Sequence, residues 1–264
     1  MNNKKTLGRL LPAFLVLVGL VTLSFTTANG VMLRLQPQQG KTYTINLKSN
    51  MVSMMEVQGQ TMNMSQVMEI RQNFTPMEVT NNQSVIQSQI QAIKMTTSQM
   101  GMKLEYDSEH PEKTSPMLAG QTGAFDAMLK AVDTLTYDNL GQRIGEEEVM
   151  TTGQLGSVII QLPKKEVSVG SQWTFNKTQS VNDTDINVKM TYTVTAISKK
   201  SVDVSIAGTV ESSEVSGTYE GTASINPQTG LVMNSNIKQN LSMTINQGIS
   251  IPLTMIGTTT IEVK

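Results

Sequence analysis

From Tyr43 to the C-terminus, apolar and polar residues alternate one by one over long stretches. Ile186, Val188, Met190, Tyr192, Val194 and Ala196 alternate without a break, and Val202, Val204, Ile206 and Val210 resume the rhythm after Ser198-Lys199-Lys200. The same rhythm runs through Met100, Met102, Leu104 and Tyr106, through Ile237, Leu241, Met243 and Ile245, and through Ile251, Leu253, Met255, Ile261 and Val263. A period of two puts successive side chains on opposite faces, so each stretch predicts a strand with one apolar and one polar face. An antiparallel sheet wetted on one side carries that pattern. Several stretches run about ten residues or more, on the order of 33 Å. Gln58-Gly59, Asn81-Asn82, Asn226-Pro227-Gln228-Thr229-Gly230 and Gln247-Gly248 separate them as turn signals.

The first hairpin predicts its own register. With Gln58-Gly59 as a two-residue turn, Tyr43 faces Phe74, Leu47 faces Ile70, Ser49 faces Met68 and Met55 faces Met62. One face of the pair becomes almost wholly apolar, as a specified register requires. Ser53 opposite Met64 and Met51 opposite Gln66 are the mixed positions.

The middle of the chain breaks the pattern. Asp107 to Gly123 reads as a polar loop with Pro111 and Pro116. Phe125, Met128, Leu129 and Val132 stand at helical spacing and predict a short amphipathic helix over 122–132. Asp133 to Glu148 reads as a hairpin around Asn139-Leu140-Gly141, and residues 152–161 as a second short helix. Gly40-Lys-Thr-Tyr43 and Gly170-Ser-Gln-Trp173 each open a long strand, a weak internal repeat. The predicted fold is mainly β: a large curved antiparallel sheet or incomplete barrel, with one or two short helices on its concave face. Residues 29–264 form one β-rich domain. Alternatively, two similar meander halves, 29–112 and 162–264, are joined by a partly helical middle, 113–161.

The first 28 residues differ. Lys4, Lys5 and Arg9 precede an apolar run from Leu10 to Phe25, and Thr26-Thr27-Ala28 supplies small residues for cleavage. This order predicts a signal peptide cut after Ala28. A transmembrane span needs roughly 20 apolar residues, and no Cys follows the run to accept a lipid. The expectation is a soluble periplasmic or secreted protein. The mature chain keeps 17 basic and all 21 acidic residues. That balance argues against a nucleic-acid partner, which needs a concentrated basic face. With no Cys, thiol catalysis, thiolate metal sites and disulfides are excluded. Of the 19 Met, ten lie between Met51 and Met102. The 32 Thr favour strands.

Several motifs in order resemble a family of exported bacterial proteins that carries a domain of unknown function. They are Leu33-x-Leu35 followed by Gly40-x-x-Tyr43, the Met-rich first hairpin, and Tyr106-Asp107-Ser108 before a polar loop. Leu162-Pro163 leading to Val167-x-Val169-Gly170-x-x-Trp173, and Gly217-x-x-x-Gly221 before the Asn226 to Gly230 turn, complete the set. The resemblance covers nearly the whole mature chain. It implies export and a β-rich fold, and it implies no reaction.

Candidate chemistry is sparse. Met62-x-Met64, Met100-x-Met102 and Met51-x-x-Met54 have the soft sulfur that Cu(I) prefers, yet Met also fills irregular apolar surfaces adaptably. His110 is the only His and cannot build a zinc site without other ligands; no nucleophile elbow accompanies it. Asp107, Glu109, Glu112, Asp138 and Glu146 to Glu148 are acid–base candidates by residue type only, and the Glu run reads as a solvated hairpin edge. Asp183 and Asp185 are too few for a Ca²⁺ loop. No phosphate-binding glycine motif is present. Trp173 reads as a packing anchor at a strand start.

The expectation is therefore a non-enzymatic envelope protein without a cofactor or metal. It would bind a lipid-like ligand or a protein partner in or on a curved sheet, through Tyr43, Met55, Met62, Met64, Met68 and Phe74. Two alternatives are a structural or interaction protein of the envelope, and Cu(I) binding by Met thioethers.

Overall fold

The computed structural model describes residues 30–57, 60–118, 120, 122–145, 158–181, 184–246 and 250–264. The predicted signal segment, the Gln58-Gly59 and Gln247-Gly248 turns, Glu146 to Glu148 and Asp183 lie outside them. The strands are β1 (Tyr43–Val57), β2 (Gln60–Val79), β3 (Gln83–Gln99), β4 (Met102–Asp107), β5 (Val132–Asp138), β6 (Arg143–Ile144), β7 (Gln172–Val181), β8 (Thr184–Ile197), β9 (Val202–Glu211), β10 (Val215–Ile225), β11 (Val232–Asn246) and β12 (Ser250–Val263). They form one open antiparallel sheet in the order β6-β5-β3-β2-β1-β12-β11-β10-β9-β8-β7, with β4 also on β3. One α-helix, α1 (Thr122–Lys130), is present among the described residues, preceded by two single-turn 3-10 helices, Pro111–Lys113 and Pro116–Leu118.

The register predicted for the first hairpin is the observed one. Tyr43 faces Phe74, Leu47 faces Ile70, Ser49 faces Met68 and Met55 faces Met62. Alternation carries one face across the whole sheet, because opposed residues share a side. On β1 the inward positions run from Tyr43 through Ile45, Leu47 and Ser53 to Met55, matched on β12 by Val263, Ile261, Met255 and Leu253. The hairpin around Asn139-Leu140-Gly141 is also present, and its first strand joins the sheet beside β3. β3 thus has two partners: residues 83–89 pair with β5 and residues 94–99 with β4. Between them the register shifts opposite Arg71/Gln72, leaving Gln91 as an extra residue. Such a bulge bends the strand where the partner changes.

The sheet is curled. Leu35 donates to the Asn139 carbonyl, in the β5–β6 turn, and Gln36 donates to the Thr229 carbonyl, in the β10–β11 turn, at 2.8 and 2.9 Å. In a flat sheet the five steps from β5 to β11 would separate those turns by about 24 Å. Two consecutive residues reach both, so the two wings fold towards each other at this proximal end. The coil 31–36 and the coil 158–167 fill the gap between them. They are bridged at Val31 and Val167 and clamped by Arg34, whose guanidinium donates to the carbonyls of Pro163 and Lys164, both at 3.0 Å. Leu33, Leu35, Leu162 and Leu231 are almost fully buried there, in one core with Tyr43, Phe74 and Ile86 of one wing and Tyr192, Val194 and Val204 of the other.

Val158–Gln161 belongs to this coil and is not helical, which corrects that part of the predicted second helix; residues 152–157 are outside the described set. The Val158 and Ile159 side chains enter the core, and the Val158 carbonyl accepts from Val232, so extended backbone serves them better than a turn of helix. α1 forms where predicted, on the inner face. Phe125 and Leu129 pack on Ile93, Met95 and Tyr106, with the Phe125 and Tyr106 rings stacked at 4.4 Å. Its apolar stripe is narrower than the spacing suggested. Met128 is exposed, and Val132 begins β5 instead.

Candidate functional site

The inner face is defined strand by strand by the registers, and it is nearly free of charge. Lys48, Glu69, Arg71, Lys94, Lys189, Glu211, Glu220, Lys238 and Glu262 all fall on outward positions of the central strands. The exceptions lie on the outer strands: Lys177 on β7 alternates with Trp173 and Phe175, Asp133 on β5 pairs with the inward Ser88, and Arg143 on β6 pairs with the inward Tyr137. Outside, Lys48 pairs with Glu69 at 2.8 Å, and Arg71 with Glu109 at 2.6 Å.

Away from the proximal end the two wings no longer share a core. One wing carries Ile93, Met95, Tyr106 and Leu118 under α1. The other carries Val188, Val210, Tyr219 and Leu241. Between these clusters β1, β2, β11 and β12 present Met51, Met55, Met62, Met64, Met243 and Leu253, all half-buried. In register, Met62 faces Met55, Met55 faces Leu253, and Leu253 faces Met243. The result is an apolar row across four strands at the distal end.

Polar side chains interrupt this surface at its middle. Gln66, Ser53, Gln239 and Tyr219 point to the inner face, and the last three are buried. The strand backbones around them are stripped of side chains. Gly217 and Gly221 flank Tyr219 on β10, Gly208 stands opposite it on β9, and Gly257 lies beside Gln239 on β12. Glycine inside a strand marks a close approach; here the Gln239 side chain lies over Gly257 and the Leu241 side chain over Gly217. Burial raises the Tyr219 hydroxyl pKa, and raises that of Tyr192, stacked 5.1 Å from Trp173, to about 12.

The six predicted ligand residues share the inner face but not one environment. Tyr43 and Phe74 are buried in the proximal core with their rings edge to face at 6.5 Å. Met68 packs beneath α1. Met55, Met62 and Met64 belong to the distal surface. Among the other Met pairs, Met51 and Met54 fall on opposite faces of β1, and Met100 occupies the turn before β4 with φ 51°; neither pair converges. The signal for Ser53 and Gln66 was present in the sequence as the mixed positions of the first hairpin. The signal for Gln239 was the gap between Ile237 and Leu241 in an otherwise apolar alternation.

The polar candidates are structural in their contacts. Asp107 accepts from the Glu109 amide, and Asp138 from the amides of Leu140 and Gln142, fixing turns. His110 lies 3.2 Å from Glu112 on the surface. The Trp173 indole donates to the Gln161 carbonyl at 2.8 Å, tying β7 to the coil. Among the described residues no group of three or more His, Asp or Glu is placed to hold a metal, and no helix is long and apolar enough to cross a membrane. Among the described residues, two surface grooves stand out. One, about 800 Å³, lies across β7–β10 and is lined by outward residues such as Asn176, Lys189, Thr209 and Glu220; the other, about 440 Å³, lies between residues 161–167 and 171–174. Neither is lined by the six predicted residues.

Residues 133–251 match the model of a family of unknown function, DUF6263. No curated protein matches the sequence. Among solved structures, one titled "Lipid-protein interactions in lipovitellin" is similar, with a TM-score of 0.47 and 8% sequence identity. The match covers 86% of this chain and 25% of that one, so the chain spans about a quarter of that protein's length.

Proposed function

We propose that this is an exported, non-enzymatic protein that holds a hydrophobic ligand on the distal half of its inner face. The observation that carries the reading is the half-buried apolar row of Met62, Met55, Leu253 and Met243, set between two separate cores on an inner face whose central strands bear no inward charge. Thioether side chains are flexible and polarizable, and surfaces built from them adapt to varied apolar shapes. Contiguous apolar surface that stays partly accessible marks a ligand or partner site more often than it marks nothing. The export part rests on the basic, apolar and small-residue order of residues 4–28. It is tested by N-terminal sequencing of the protein from its host, with Asn29 expected first.

Ligand binding is tested with N-phenyl-1-naphthylamine, whose fluorescence rises in apolar surroundings, and by native mass spectrometry of the protein purified from its host. Saturable probe binding and a co-purifying lipid-like mass support the reading. A lipid-free protein that leaves the probe dark discards it.

A second reading, an interaction protein of the envelope, is supported by β7. Among the described residues this ten-residue edge strand has a partner on one side only, and it contains no proline; an edge of that kind can accept another strand. Crosslinking in the host that recovers no partner counts against it.

A further inference from the structure

The four inner-face side chains nearest Ser53 along and across the strands are all methionines. Met64 of β2 and Met255 of β12 stand directly opposite it on either side, and Met51 and Met55 precede and follow it on the same face of β1. Neighbouring strands lie about 5 Å apart and alternate residues of one strand about 6.7 Å apart, so four thioethers ring one small residue. Ser53 is 6% exposed, whereas the four methionines are only half-buried. A hydroxymethyl group so covered, among taller neighbours that are not, lies beneath them: the methionine side chains lean in over Ser53. Met is unbranched and turns about three bonds, so its sulfur can close on a point above the ring without moving a strand.

The ring is a donor set of one kind, and that chemistry is selective. Thioether sulfur is soft and neutral and prefers Cu(I) to harder ions. The paired inward positions of β1, β2, β11 and β12 carry no Asp, Glu, His, Lys or Arg. Ca²⁺, which takes oxygen ligands, and Zn²⁺, which takes thiolate, imidazole or carboxylate, therefore find no partner here. A soft monovalent ion needs none of these groups. It exchanges water for sulfur, and because the methionines are half-exposed it keeps one side towards solvent, so its charge is not stranded in an apolar interior. Met62-x-Met64 supplies only one side of this set. Met255 is brought to the other side by the pairing of β12 with β1.

We infer that Met64 and Met255, with Met51 and Met55 closing the ring along β1, bind one soft monovalent metal ion of the Cu(I) class above Ser53. Ag(I) shares its charge and softness and serves as a redox-inert probe. The site stands apart from the ligand-binding reading, although the two share Met55 and Met64.

The test titrates the mature full chain with silver nitrate in chloride-free buffer, read by native mass spectrometry and by NMR of isotope-labelled methionine methyl groups. Cu(I) is measured without oxygen against the chelator bicinchoninate. One Ag(I) per chain is expected, with methyl shifts at Met51, Met55, Met64 and Met255, and no response to Zn²⁺ or Ca²⁺. Met64→Leu and Met255→Leu are close to volume-conserving and leave the fold standing. Each should weaken Cu(I) binding about tenfold or more, since loss of even an outer partner of a metal ligand costs that much. Met54→Leu, on the outward face of β1, and Met100→Leu, in the turn before β4, should leave the affinity unchanged. No saturable binding of either ion overturns the site. So does an affinity unchanged in both Met64→Leu and Met255→Leu, or methyl shifts confined to other methionines such as Met100 and Met102. Uptake of N-phenyl-1-naphthylamine without a silver response sinks the metal site alone, and silver binding in a lipid-free protein that leaves the probe dark sinks the ligand-binding reading alone.

Discussion

Gln239 lies across Gly257, its Nε2 atom 3.1 Å from the position a Cβ on residue 257 would occupy, with the Asn50 carbonyl oxygen at 3.0 Å on the other side. Gly257→Ala is therefore expected to push the amide aside at a modest cost of about 1 kcal/mol. Gly217→Ala is expected to cost more, about 2–3 kcal/mol, because its Cβ would meet the backbone of Asn240 and Leu241, which cannot swing away. Urea midpoints of the two variants check the order. Equal losses would mean that the strands give way as easily as a side chain does.

Arg34 holds the proximal closure. It donates to Pro163 and Lys164, and also to its neighbour Leu33. Arg34→Ala is expected to destabilise by about 2 kcal/mol, the scale of charge-assisted hydrogen bonds. Amide exchange should accelerate in residues 31–36 and 158–167 before it does in β1 or β2. Lysine cannot reproduce the forked geometry, so Arg34→Lys should recover only part of the loss.

The Tyr192 hydroxyl, raised by burial to about 12, gives the fold an alkaline limit. The folded value lies above the unfolded value near 10, so the unfolded chain loses this proton first. Stability is complete below pH 10 and falls as the pH rises from 10 to about 12, by roughly 2–3 kcal/mol. Absorbance at the tyrosinate band should show late titration by the buried tyrosines, Tyr192 and Tyr219 among them, and Tyr192→Phe should flatten this part of the decline. Ionisation of every tyrosine near pH 10 in the folded protein would contradict the burial argument.

A charge on the distal inner face should abolish ligand uptake. Met64→Glu is expected to weaken N-phenyl-1-naphthylamine binding about tenfold or more. Met54→Glu, on the opposite face of the same hairpin, should leave it unchanged. Loss in both variants would place the probe elsewhere.

Much of this architecture was written locally. The Tyr43–Phe74 and Met55–Met62 pairs followed from one turn and strict alternation, and α1 followed from Phe125 and Leu129 at helical spacing. The Asn226 to Gly230 turn was equally legible, since Asn226 accepts from the amides of Gln228 and Thr229 and Gly230 adopts φ 70°. The rest depended on distant partners. Nothing near Leu47 specifies that Ile261 will lie beside it, and nothing near Gln83 announces that β5 will take one half of β3 and β4 the other. Ser53 and Gln66 were legible as the mixed positions of the first hairpin, but that Gln239 and Tyr219 share their face depends on β11 and β10, far along the chain.

Lys48 and Glu69 have a consequence for how so long a hairpin finds its alignment. Threonine and serine recur along these strands and would tolerate many offsets equally well. Sliding β2 by one residue would turn Glu69 and Arg71 inward, and sliding it by two would set Lys48 against Arg71 or Val67 in place of Glu69. The ion pair works as an index mark: it adds a small local preference for the in-phase setting of the first hairpin to the one that the apolar face imposes.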